Sequence, residues 1–538
     1  MSKQLDLQLK DIDKKTDRLV EIDSLMPLSA PYDKEGMEPD FVKVKDAWKE
    51  KYCTSLDGII GVDTLVRPST PEEDKFVHKF INGLAKLFAD SNKNFLQPLT
   101  LTMEYCVKCN TCSEACHIYK STNQNELYRP IFRSEVLRKI YKKYFTRGGK
   151  LLGKFVGADI DINWETIARL GELAYRCNLC RRCAQTCPLG LDNGMLTREI
   201  RKIFSQELGI APTFLHSKGS VRQLETGSST GITKAALLDN LEFMEEDIEE
   251  KTGRKIKIPI DKKSADILLT HNTGEFMAWP ENPAAFAILF EEAGLNWTLS
   301  SSMMGYDNVN YGIWYDDNMA QKIALQQFQA AKELGVRRIV IGECGHAHKA
   351  AAISADRMTY GENKVPVESC LPILWELVRT KRLTFNPAKN NFPVTLHDPC
   401  NVVRQMGIVQ PQRNIIKTIC PGFREMTPHG VDNYCCGGGS GFAIMQSLNF
   451  ADFRNKVSTR VKFDQILRAF GDDVGNRDIV KYVCAPCSNC KGAIRDMLAY
   501  YQATDKFNIH YGGLVELMVN ALSTIDKPYL TFTDELMP

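Results

Sequence analysis

Apolar residues change their period along the chain, and the predicted elements change with them. Across 96–215 they recur at helical spacing, as in RSEVLRKIYKKYF and WETIARLGELAYRC. From 264 onward, short apolar runs (ADILLTH, VRRIVIG) alternate with longer stretches such as AAFAILFEEAGL and VESCLPILWELV. Strands buried on both faces and covered by helices give that alternation. The order then repeats in FPVTLH, QRNIIKTIC, IVKYVC and NIHYGGLVELMV. LPILWELV is laid against GGLVELMV, and Cys344 of IGECGH against Cys484 of KYVCAPC, about 140 residues apart. Each half is short for a domain, so two α/β lobes related by a pseudo-twofold axis are expected.

Elsewhere the pattern is weaker. Residues 1–95 hold charged amphipathic stretches broken at Pro27, Pro31 and Pro39, with one cysteine, Cys53. They suggest a mostly helical docking or covering region. Residues 216–263 turn polar and charged, which suggests a linker. The expected architecture is therefore multidomain α and α/β: a region at 1–95, a helical domain at 96–215 and a linker at 216–263. Lobes at 264–385 and 386–525 and a tail at 526–538 follow.

Composition narrows the function. Sixty-eight basic and 66 acidic residues leave a net charge of +2, no field for nucleic acid. No apolar run reaches the 18 residues of a membrane span, and the charged N-terminus lacks the apolar stretch of an export signal. A cytoplasmic chain that meets the membrane only through partners is expected. Eighteen cysteines in such a chain point to metal ligation rather than disulfides.

Eight of them form two runs. Cys106, Cys109, Cys112 and Cys116 follow C-x2-C-x2-C-x3-C, and Cys177, Cys180, Cys183 and Cys187 repeat it, with Pro188 next. This is the bacterial two-cluster ferredoxin run. Three cysteines three apart wrap a tight loop round one cube, and the following helix carries the fourth towards the other cube. By that rule Cys106, Cys109, Cys112 and Cys187 hold one cubane [4Fe-4S] cluster, and Cys177, Cys180, Cys183 and Cys116 the other. Zinc would instead use four cysteines in two CxxC pairs. His117 stands where the first run would have proline, and is read as a packing or hydrogen-bonding residue. The 60 residues between Cys116 and Cys177 look helical, which resembles the α-helical ferredoxin modules of respiratory complexes.

A third group runs C-x34-C-C-x50-C-x2-C through Cys400 in HDPC, Cys435 and Cys436 in YCCGGG, and Cys487 and Cys490 in CSNC. Adjacent cysteines beside Gly437, Gly438 and Gly439, where backbone can approach closely, suit a larger or open cluster. Five thiolates also exceed what one cubane needs. Structural zinc and plain buried cysteines are the bland alternatives. A phosphate cradle would need a Lys-Ser/Thr ending that the glycine run lacks.

HDPC, YCCGGG and APCSNCK resemble the CCG domain of heterodisulfide reductases. That resemblance implies a noncubane [4Fe-4S] cluster on Cys400, Cys435, Cys436, Cys487 and Cys490, where disulfides are reduced. Twin ferredoxin runs followed by paired CCG lobes resemble the HdrD type. The long N-terminal extension and single intact CCG motif look most like the DsrK-type subunits of membrane DsrMKJOP complexes in sulfur-metabolising microbes. The implied setting is the inner face of the cell membrane. Electrons would come from quinol through a haem b membrane subunit (DsrM-like), beside other complex subunits, and reach a disulfide or trisulfide on a small sulfur-carrier protein (DsrC-like).

The first lobe departs from the doubled family pattern. The alignment puts Gly274 opposite Cys400, Met303 and Met304 opposite Cys435 and Cys436, and Ala347 and Ala350 opposite Cys487 and Cys490. A lobe without a cluster, walling the site, is expected. Cys344, flanked by Glu343 and His346, is a candidate redox or proton-transfer residue against the reading of an ordinary strand-end cysteine. His397, His429 and His346 are candidate proton donors, with structural histidines as the alternative. The rival readings are an iron–sulfur subunit of a flavin-dependent glycolate, lactate or glycerol-3-phosphate dehydrogenase, and a pure electron relay. No flavin or dinucleotide motif is visible, so neither cofactor is expected on this chain.

Overall fold

The module that carries the twin runs is built on helices α1 (Thr70–Leu87), α2 (Leu96–Tyr105), α3 (Pro130–Phe145), α4 (Arg147–Leu152), α5 (Trp164–Tyr175) and α6 (Asn193–Gln206). Helix α6 shows why. Asp192 caps it by accepting from the Met195 amide at 2.9 Å. Its Leu196, Ile200, Ile203 and Phe204 then form one buried stripe at helical spacing. The stripe meets α5, where Gly171 lets the Phe204 ring approach: a Cβ there would lie 2.5 Å from it. Any larger residue at 171 overpacks this crossing, typically at about 1–3 kcal/mol.

The computed structural model describes residues 24–40, 44–52, 58–89, 91, 96–160, 162–358, 361 and 364–532. Cys53 and the side chains of Met303 and Met304 lie outside the described residues. Within the N-terminal region, buried Glu172 of α5 accepts from the Gly61 and Val62 amides at 2.7 and 3.1 Å. Residues 24–40 form a strap. Its Met26 amide donates to Ser121 of the helical module, while Ser29 bonds Asp464 and Tyr32 donates to the Tyr501 carbonyl. Glu38 pairs with both terminal nitrogens of Arg460 at 2.7 and 2.6 Å.

The expected linker is largely helical instead. Helix α7 (Lys234–Thr252) buries Leu237, Leu241, Met244 and Ile248, a stripe at i, i+4, i+7 and i+11. Its charged residues occupy the remaining faces, so composition masked the period.

Two parallel four-stranded sheets follow. The first orders β1 (Ile267–Thr270), β2 (Trp297–Thr298), β3 (Arg338–Ile341) and β4 (Val367–Ser369) as β2-β1-β3-β4. The second orders β5 (Val394–Leu396), β6 (Phe423–Arg424), β7 (Lys481–Cys484) and β8 (Ile509–Gly512) as β6-β5-β7-β8. The order is the same in both. Helices α8 (Glu281–Glu292), α9 (Asp317–Leu334), α10 (Gly345–Met358) and α11 (Cys370–Arg379) belong to the first lobe. Helices α12 (Gln410–Ile419), α13 (Arg460–Phe470), α14 (Ser488–Tyr500) and α15 (Leu514–Ala521) belong to the second. Phe286 and Phe290 of α8 share one core with Val515 and Leu517 of α15, so the lobes bury their apolar faces together.

Strand register corrects the internal alignment. Ile341 lies beside Thr270 and Ser369, as Cys484 lies beside Leu396 and Gly512. Ile341, not Cys344, is thus the counterpart of Cys484. Cys344 corresponds to Cys487, and Ala347 to Cys490. Local bonds agree: the Cys344 amide donates to Gly342 O and the Cys487 amide to Ala485 O, each at 2.7 Å. Ladder hydrogen bonds set the register, and matching one cysteine to another by letter slipped it by three residues. Gly274 keeps its place opposite Cys400, three residues past the first residue after each strand, His271 and His397.

Candidate functional site

The two ferredoxin runs fold alike. Lys108 and Asn110 in the first loop, and Leu179 and Arg181 in the second, all take left-handed backbone (φ 57°, 72°, 47° and 59°). Each costs a non-glycine residue roughly 1–2 kcal/mol, and the same motif positions bear it in both loops. That backbone curls each loop around a recess. One recess is lined by Cys106, Cys109, Cys112 and Cys187, the other by Cys116, Cys177, Cys180 and Cys183. The structure therefore brings the eight cysteines together in the crossed arrangement. Burial pushes the Cys112 thiol up to about 11 and Cys116 up to about 12. Buried thiols held apart from water take the anionic form when a cation replaces the proton. Cys109 is exposed, and a hydrogen-bonding contact with Thr111 lowers it.

The third group forms at the second sheet's switch point. Chain order moves from β5 outward to β6 and returns to β7 on the other side of β5, which opens a crevice at the carboxyl ends of β5 and β7. Cys400 follows β5, and Cys487 follows β7 as the residue capping α14, where a helix N-terminus favours thiolate. Cys435 and Cys436 arrive on the glycine-rich loop, and their sulfurs accept from the Gly437 and Gly438 amides, both at 3.4 Å. Cys436, Cys490 and His397 bring their ligand atoms within 4.8 Å of one another. Cys435 contacts Cys400 and Cys436, and Cys490 contacts Cys487. All five thiols are buried. Hydrogen bonds between thiols pull Cys436 and Cys487 well below the ordinary thiol range and push Cys435 and Cys490 well above it.

These donor sets fit iron–sulfur clusters. They are soft sulfur ligands grouped around shared recesses, and backbone amides point at several of the sulfurs. His397 Nε2 is buried beside them, on the side of Cys436.

No local pattern in the chain signals how the helical module meets the crevice. Cys180 is in hydrogen-bonding contact with Cys435, so the second ferredoxin loop touches the third group directly. Arg404 Nε donates to Cys180 O at 2.8 Å, and its Nη1 to Asn433 O at 2.7 Å. Asn178 Nδ2 donates to Gly437 O at 2.9 Å, and Ser440 Oγ to Cys177 O at 2.8 Å. Gly439 has its reason here, since a Cβ would lie 2.8 Å from Asn178 O.

Lys462 of α13 was also missed. It is fully buried, and its Nζ donates to Asn433 Oδ1 at 2.8 Å; Asn433 Nδ2 lies 3.4 Å from His397 Nδ1. Burial lowers its ammonium to about 7. A lysine within RVKFDQILRAF gives no local cue to this.

The remaining candidates separate. Cys344, buried in the first lobe, contacts Cys487 and stands at the same crevice. His397 touches Cys436, and burial lowers it from its ordinary value. His346 is committed elsewhere: its Nε2 lies 3.0 Å from Asn310 O, its ring packs 4.0 Å from Trp314, and burial drives it to about 3. The structure thus gives His346 the features of a structural histidine rather than a proton donor. His429 is exposed. His117 Nε2 lies 2.7 Å from Asn178 Oδ1, the hydrogen-bonding place expected for it. Glu343 turns its carboxylate to the Leu514 and Val515 amides at 2.8 and 3.2 Å, away from the thiols.

Known sequences resemble this chain. The 4Fe-4S dicluster domain model matches residues 102–191, and the cysteine-rich domain (CCG) model matches 394–495. An Hdr-like menaquinol oxidoreductase iron-sulfur subunit 2 of Archaeoglobus fulgidus is 26% identical over 492 residues, 84% of this chain and 86% of its own. The corresponding iron-sulfur subunit of Archaeoglobus profundus is 26% identical over 484 residues, 81% of this chain and 83% of its own. The HdrD polypeptide of the dihydromethanophenazine:CoB–CoM heterodisulfide reductase of Methanosarcina barkeri is 22% identical over 439 residues, 80% of this chain and 96% of its own. Together with the donor sets, these likenesses support iron–sulfur binding and an oxidoreductase role, in a chain similar along most of its length to Hdr-like iron–sulfur subunits.

Proposed function

We propose that this chain is the catalytic iron–sulfur subunit of a membrane-associated electron-transfer complex of the DsrK type, acting on a disulfide or trisulfide. The supporting observation is the contact of Cys180 with Cys435, which joins the twin-run module to the third group without intervening side chains. In this reading Cys106, Cys109, Cys112 and Cys187 hold one cubane, and Cys116, Cys177, Cys180 and Cys183 the other. Cys400, Cys435, Cys436, Cys487 and Cys490 hold a noncubane cluster. Bound there, the clusters supply one-electron steps and an iron open to sulfur. The domain limits expected from the sequence go with this reading.

The chain's own residues supply the rest. Reducing a disulfide breaks one S–S bond and takes two electrons and two protons to give two thiols. The electrons come from a haem-bearing membrane partner of the DsrM kind, and the substrate is a small sulfur carrier of the DsrC kind, in dissimilatory sulfur metabolism. Lys462 holds a proton near neutrality and fixes Asn433, whose amide in turn orients His397 beside Cys436, so His397 is the group placed to give a proton to the departing thiolate. Cys344 walls the opposite side of the crevice.

The test uses the cluster-loaded chain, oxidised anaerobically with a thiol present. A paramagnetic state broadened by sulfur-33 in the thiol, lost in Cys436→Ala while the cubane signals persist, is expected. A signal that ignores thiol, or survives that substitution, overturns the reading in favour of electron relay.

A further inference from the structure

Outside the residues that line the cysteine recesses, the chain carries a short apolar and basic tip. It spans α4 and the single 3-10 turn Gly153–Val156 after it. Leu151 is 84% exposed, Leu152 54% and Phe155 82%, three large exposed apolar side chains within five residues. Arg147, Lys150 and Lys154 are also exposed. None of these three has an ion-pair partner among the described residues, and 146–158 contains no acidic residue.

The tip is held in shape. Thr146 caps α4 by accepting from the Gly149 amide at 3.0 Å, and Lys142 Nζ of α3 donates to Val156 O at 3.0 Å. At Gly149 a Cβ would lie 1.9 Å from Lys142 O, so α4 is pressed against the end of α3. Gly157 closes the turn at φ 76°. The exposed side chains are therefore presented on a fixed base, with Lys154 Nζ 5.6 Å from the Phe155 ring centroid.

We infer that this tip inserts into an anionic bilayer surface, giving the chain a membrane contact of its own. Exposed Leu and Phe suit the acyl boundary, and unpaired Lys and Arg beside them suit anionic headgroups, the composition of an interfacial anchor. No helix of the described residues is long and apolar enough to cross a membrane, so this contact is peripheral. Each cation near such a surface strengthens binding by about fivefold, and added salt removes that part. An apolar face for a protein partner would not need three exposed cations without ion-pair partners beside it.

Co-sedimentation of the full cluster-loaded chain with phosphatidylcholine vesicles, with and without phosphatidylglycerol, tests this. Binding is expected only with phosphatidylglycerol, weakened about tenfold or more by Leu151→Ser with Phe155→Ser, and similarly by Lys150→Glu with Lys154→Glu. Helical content and cluster signals should stay at wild-type level, since these side chains are exposed. The tryptophan of Phe155→Trp should shift its emission to the blue when anionic vesicles are added. Absence of binding to anionic vesicles, binding by both double variants equal to wild type, or an unmoved emission overturns the inference. The first of these would assign the tip to a protein partner. None of these readouts depends on sulfur chemistry, so the outcome is independent of the proposed function.

Discussion

Cys180 of the second ferredoxin loop and Cys435 of the glycine-rich loop, 255 positions apart in sequence, are in hydrogen-bonding contact. The contact depends on a backbone approach rather than on either thiol alone. Gly439→Ala puts a methyl group 2.8 Å from Asn178 O. The expected result is a loss of about 1–3 kcal/mol in denaturant unfolding. Slower reduction of the third centre, with the cubanes still reduced at the normal rate, should accompany it in rapid-freeze experiments.

Crossed grouping makes a pairwise prediction. The proposed function, with three four-iron sites, implies about twelve irons per chain. Cys187→Ala should perturb the cluster of Cys106, Cys109 and Cys112 and spare the other cubane, and Cys116→Ala should do the reverse. Spectra of the two variants, compared with iron and sulfide analysis, check this; an uncrossed pattern rules the arrangement out.

Cys344 is the counterpart of Cys487 in the first lobe, while the second lobe already supplies five thiols. Cys344→Ala should therefore keep about twelve irons. Disulfide turnover should fall about tenfold, a barrier change of about 1.4 kcal/mol. A loss of about four irons, as expected for Cys436→Ala, would make Cys344 a ligand instead.

Glu343 makes stability depend on pH. Burial raises its carboxyl from 4.5 to about 8. Between those values the folded chain keeps a proton that the unfolded chain has released, so stability falls as pH rises through that window. Glu343→Gln should flatten the fall by about 1.4 kcal/mol per pH unit. Unfolding curves across the window measure it, and parallel wild-type and variant profiles would refute it.

Ligand spacing is local, so the cysteine runs and their crossed grouping were legible in the sequence. Strands such as ADILLTH and IVKYVC were legible because buried parallel strands are continuous apolar runs. Three things were not. The equivalence of Cys344 and Cys487 depends on ladder register, which letter matching slipped by three residues. Helix α7 hid its apolar stripe under charge. The junction of Cys180 with Cys435, and the seat of Lys462 behind Asn433, exist only after distant segments pack.

The strap of residues 24–40 gives synthesis a long interval. Ser29 and Tyr32 leave the ribosome 435 and 469 residues ahead of their partners Asp464 and Tyr501. At usual elongation speeds that delay is roughly 20 to 90 seconds. Until it ends, Leu28 and Tyr32 have no core to enter, because the residues they pack with belong to the last part of the second lobe. A chain terminated before Phe463 and Tyr501 leaves Leu28 and Tyr32 without that core, two large apolar side chains kept in water.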